Sequence, residues 1–162
     1  TVKTNKLKQG NYPFIVYEWQ YKGVLPNSEL EVITKTDIDS KTMLQLMYNA
    51  QDCEEADLTE STNLEELHFA KWKVAKEKYL LEAEQSIRFK MSSLVASQQG
   101  QIRAIQNILS KATDERIIKM KKAQLERLKQ SFIEKQEKLK TEIEKCDIIS
   151  TKLVVGTLRV EN

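Results

Sequence analysis

Lys111, Arg116, Lys119, Lys121, Lys122, Arg127 and Lys129 crowd one stretch of a 162-residue chain whose formal net charge is only +2. Cations so placed neutralise phosphates without needing a shaped pocket, so the chemistry they offer is contact with a nucleic-acid backbone. The competing reading is solvated charge on the outside of long helices, the common state of Lys- and Glu-rich sequence. Across residues 103–129 these seven and Arg103 meet only Asp114, Glu115 and Glu126. Residues 51–67, by contrast, hold Asp52, Glu54, Glu55, Asp57, Glu60, Glu65 and Glu66 and no Lys or Arg. The chain is therefore polarised into an acidic stretch and a basic one.

Enzyme chemistry is harder to find. Gly10, Gly23, Gly100 and Gly156 are isolated from one another, which leaves no phosphate-cradling loop of the Walker type. His68 is the only histidine, and Cys53 and Cys146 belong to no motif. One His and two separated Cys do not build a usual zinc site without carboxylates. Glu65, Glu66 and His68 do not share one helical face. A nucleophilic Cys53–His68 pair has nothing in its favour. His68 reads as a surface or partly buried side chain, and the cysteines as free buried thiols in a reducing compartment. Tyr17, Trp19 and Tyr21 alternate along one stretch. Such a stripe can stack bases, but a sheet that needs a covering helix makes core the favoured reading. No catalytic residue, metal ligand or cofactor is assigned within the chain.

The elements that must hold the cations are legible from periodicity. Ile118, Leu125, Phe132, Leu139 and Cys146 recur at every seventh position, widened by Leu128 and Ile143, on a background of Lys, Glu, Gln and Arg. That is a helix packing against one partner helix. Leu80, Ile87, Met91, Leu94, Ile105, Ile108 and Ala112 answer it upstream. A turn near 111–114 between two such stripes predicts an antiparallel helical hairpin over 63–148. Thr62 with Glu65 fits a capping box for the first helix, and Thr113 or Asp114 caps the second. Gly100 costs about 1 kcal/mol relative to Ala inside a helix and marks either a kink or a break. The opening turns, 64–81, are broadly apolar through Leu67, Phe69, Trp72, Val74 and Tyr79, and are expected to lie on a sheet.

Residues 1–62 supply that sheet with two strands, 14–21 and 30–34, joined by a turn at Gly23 and Pro26. A polar lead-in precedes them. A short helix capped by Ser40 and an acidic loop at 52–60 follow. Residues 149–162 carry a last strand at 153–160, with Gly156 as a candidate bulge. The expected fold class is α+β: a small antiparallel β-sheet with a long antiparallel helical hairpin as a coiled-coil arm, one domain overall. No apolar run approaches the ~20 residues that span a bilayer, and no signal peptide is visible. A cytoplasmic location and no membrane partner are expected. The start at Thr1, without targeting character, reads as a piece of a longer protein.

Three segments go further. Asp114-Glu115-Arg116-Ile117-Ile118-Lys119-Met120 opens a charged helix, Cys146-Asp147-Ile148-Ile149 follows it, and Val155-Gly156-Thr157-Leu158-Arg159-Val160 comes last. In order and spacing they resemble the C-terminal end of bacterial Swi/Snf-type superfamily two helicases, over about residues 94–160. There a pattern close to D-E-R-I-R-R-M is followed by A-D-I and a final strand. Lys119 stands where Arg is usual, and Cys146 where a small residue is common. The resemblance implies a DNA-dependent ATPase whose motor lobes, with ATP and magnesium, lie upstream. No motor motif is present here, so no nucleotide site carries over. What carries over is a non-catalytic accessory C-terminal domain that contacts DNA or a protein partner, or positions the motor lobes. The alternative class is a coiled-coil interaction or oligomerisation module unrelated to helicases.

Overall fold

A computed structural model describes residues 1–53 and 61–162. Residues 54–60 of the expected acidic loop lie outside the described residues, as does the side chain of Thr62, the expected cap of the first long helix. In chain order the elements are β1 (Val2–Lys3), β2 (Gly10–Lys22), β3 (Asn27–Ile33), α1 (Ser40–Tyr48), α2 (Ser61–Lys111), α3 (Glu115–Glu144) and β4 (Asp147–Glu161). The class is α+β, as expected. The chain forms two compact units: Thr1–Tyr79 with Asp147–Asn162, and Leu80–Cys146.

The first unit is built on β2, whose run of aromatic and β-branched residues favours a pleated, half-buried strand. Gly23, at φ 110°, takes a backbone conformation that L side chains avoid and turns the chain back. β3 then pairs antiparallel with β2 from Ile15↔Ile33 to Tyr21↔Asn27. β4 takes the other side of β2 along its whole length, from Gly10↔Val160 to Lys22↔Asp147. The strand order is β1-β4-β2-β3. The sheet is mixed rather than wholly antiparallel, because Val2 and Lys3 of the expected lead-in pair parallel with Val160 and Glu161. A two-residue strand is too short to show a period of its own. The register slips where Val16 faces Val154 but Tyr17 faces Lys152, so Leu153 is the bulged residue. Gly156, expected as the bulge, instead sits under Phe14. A Cβ there would lie 2.8 Å from the ring's Cζ.

Each face of the sheet meets a helix. Met43 and Leu46 of α1 join Val2, Phe14, Val16, Val32, Leu158 and Val160 in one core cluster. Asp39, not Ser40, caps α1, accepting from the Thr42 amide at 2.9 Å. That bond also holds the Asp39 carboxyl below its ordinary value. Ser40 is used otherwise: its Oγ accepts from the Val32 amide at 3.0 Å and donates to Glu31 at 2.8 Å. On the opposite face the opening turns of α2 lie on the sheet. Trp72 Nε1 donates to the Ile148 carbonyl at 2.9 Å, and the Tyr79 hydroxyl to the Lys22 carbonyl at 2.8 Å. Tyr17 and Trp19 are buried there, as core and not as a base-stacking platform. Phe69 and Val74, counted in the same apolar run, point to solvent.

The second unit is the helical hairpin. α2 runs unbroken through Gly100, where an added Cβ would meet nothing within 4 Å. Ala83, Ile87 and Ile105 are buried along it. Ile108, expected in this stripe, is exposed, and Leu109 is the half-buried residue one step on. On α3 the expected positions Ile118, Leu125, Leu128, Phe132, Leu139 and Ile143 form the less exposed face, yet none is fully buried. One partner helix covers only part of such a stripe. Cys146 is buried just past the helix end. Cys53, in the other unit, is exposed, which corrects the expectation of two buried thiols; neither forms a disulfide.

Candidate nucleic-acid interface

The bend that gathers the cations is set by local chemistry. α2 ends at Lys111, whose charge suits the negative end of a helix. Asp114, extended at φ −76° and ψ 120°, caps α3 and accepts from the Arg116 amide at 2.9 Å. Of the two residues left open by sequence, Thr113 and Asp114, the cap is the one that also places negative charge at the helix start. Glu115 adds to it in the first turn.

Lys111, Arg116, Lys119, Lys122, Arg127 and Lys129 are all exposed. Lys121 is not: it is half-buried, and its Nζ donates to Gln124 Oε1 at 3.2 Å. Residues three and four apart share a helix face, so Arg116, Lys119 and Lys122 form one ladder, which Lys129 continues seven residues on. Arg127, three turns after Arg116, returns to the side of the helix that Arg116 occupies, and Lys121 lies beside the apolar stripe. Among the described residues, none of the seven is in an ion pair. Lys76 pairs with Asp147 at 3.0 Å, and Lys152 with Glu65, both in the first unit.

The first unit holds a second polar cluster. His68, on α2, is buried and stacked on Tyr17, with ring centroids 3.5 Å apart and planes 6° from parallel. Trp19 Nε1 donates to His68 Nε2 at 3.0 Å. An indole N–H can only donate, so Nε2 must be the unprotonated nitrogen. Burial, aided by Lys152 and opposed by Glu65, lowers the pKa of His68. Burial likewise raises Tyr17, and the bond to Glu65 raises Lys152. This is a neutral histidine used as packing and acceptor, where sequence placed it at the surface or partly buried. Its partner Trp19 lies 49 residues away in sequence, so no local pattern announces the pair. Cys53 is exposed and makes no contact with His68 among the described residues. No three His, Cys, Asp or Glu among the described residues are placed to hold a metal ion. None of the described helices is long and apolar enough to cross a membrane.

Comparison with protein-family models, with characterised proteins and with solved structures finds no match to the chain.

Proposed function

We propose that the chain is a non-catalytic accessory domain of a Swi/Snf-type DNA-dependent ATPase, and that the bend of its helical hairpin rests on nucleic-acid backbone. The observation that carries the contact is the exposed ladder of Arg116, Lys119, Lys122 and Lys129. Residues three apart on a helix rise about 4.5 Å, close to the ~3.4 Å axial advance between phosphates of one strand. Long, flexible Lys and Arg side chains absorb the difference. The family reading is supported by the segments that carry the resemblance. Asp114 caps α3, Cys146 and Asp147 turn it into β4, and Gly156 leaves room for the Phe14 ring. Asp114 and Gly156 thus have a physical reason to be of their type.

In this role the chain supplies phosphate contacts in the cytoplasm, while motor lobes elsewhere in a longer protein hydrolyse ATP with magnesium. Lys and Arg on phosphates position a duplex and read no sequence. Labelled duplexes of unrelated sequence should therefore bind the chain alike at low salt. Affinity should fall with a log–log slope of about −0.9 for each phosphate neutralised, and purified chain should not turn over ATP. A strong preference for one sequence, or no binding at low salt, would count against the contact. DNA-stimulated ATP turnover would count against the accessory role.

A further inference from the structure

A groove of about 500 Å³ lies within the hairpin near its bend. Its apolar floor is Ala104, Ile105 and Ile108 of α2 with Leu128 of α3, and its charged rim is Lys121 and Arg127. No carboxylate lines it. Its volume falls in the range of about 300–1,000 Å³ typical of ligand clefts. It is an open furrow between two antiparallel helices, the shape that receives the apolar edge of a third helix.

We propose that this groove docks an acidic amphipathic helix of a protein partner. The charge pattern selects that occupant. An apolar floor takes leucine-like side chains at spacings of three and four, and cations on the rim pair with Asp or Glu flanking them. A second copy of the hairpin fits poorly. Residues 130–146 carry Glu134, Glu137, Glu142 and Glu144 against Lys135, Lys138, Lys140 and Lys145, so they are neutral overall, and the bend itself is basic. A nucleic-acid backbone offers no row of apolar side groups at helical spacing for the floor. The ladder proposed for the duplex is separate: Arg116, Lys119, Lys122 and Lys129 do not line the groove. Docking would complete the cover that α2 alone gives the half-buried stripe of α3.

The probe is a synthetic helix of about 18 residues with leucines at helical spacing and flanking glutamates, beside a twin with every Glu replaced by Lys. Fluorescence anisotropy against the whole chain should show the acidic peptide bound and its basic twin not bound. Ala104→Trp fills the floor and should weaken binding at least about tenfold; Lys121→Glu with Arg127→Glu should do the same while leaving the floor intact. If Ala104→Trp fails to fold, the charge pair alone decides. Equal binding of the two peptides, binding unchanged in the charge-reversed variant, or no binding of the acidic peptide to wild type would each overturn the proposal. Duplex binding should survive Ala104→Trp, which separates the failure of this site from the failure of the ladder.

Discussion

His68 shows how much a single side chain can depend on where it is folded. Unfolded, its imidazole has its ordinary value near 6.5; folded, burial between Tyr17 and Trp19 depresses it. Between the two values the unfolded chain binds more protons. The stabilisation is therefore complete above about pH 6.5 and is lost as pH falls below it toward the folded value. His68→Gln keeps an acceptor for the indole but cannot titrate. Melting curves at about pH 7.5 and 5.5 should show wild type losing more stability on acidification than the variant. Equal losses would mean that the imidazole does not titrate differently in the two states. Gly156 is a second such position. Phe14 is packed in the core and cannot withdraw freely from an added methyl. Gly156→Ala should cost about 1–3 kcal/mol, the usual range for overpacking, and Phe14→Leu in the same chain should restore part of it. An unchanged melting temperature for Gly156→Ala would show that the ring gives way.

At the scale of elements, the hairpin rests on a cap and on uneven burial. Asp114→Ala removes the acceptor for the Arg116 amide and should cost about 1 kcal/mol, measured by denaturant midpoint. Ile105 is buried while Leu125 is half-buried. Ile105→Ala should then lie within about 2–5 kcal/mol, and Leu125→Ala below it; the reverse order would contradict the packing described. The heptad on α3 was legible because a single apolar face against a charged background has one reading. Its degree of burial was not, since periodicity reports direction and not how much partner surface is present. The β2, β3 and β4 strands were legible at their centres, where β-branched and aromatic residues concentrate. Their ends were not: the period changes after Asp147, but the polar Ser150, Thr151 and Lys152 delay the expected strand to 153, whereas β4 begins at Asp147. β1 and the Trp19–His68 bond depend on residues distant in sequence, so neither leaves a local signal.

At the scale of the whole chain, the polarity read from the sequence becomes cations gathered around the bend, Lys111 at the end of α2 and the other six on α3. The proposed role needs only that they face solvent, which they do apart from Lys121. Exposed charges contribute little to stability, so they can be reversed without disturbing the fold. Lys119→Glu with Lys122→Glu should leave the melting temperature nearly unchanged. The direct measurement is a low-salt titration of labelled duplex with wild type and with this double variant. The expected result is an affinity lowered at least about tenfold for duplexes of any sequence, with a flatter dependence on salt. Equal affinity and equal salt slope for the two chains would contradict it, and would leave the hairpin as a protein-binding coiled coil.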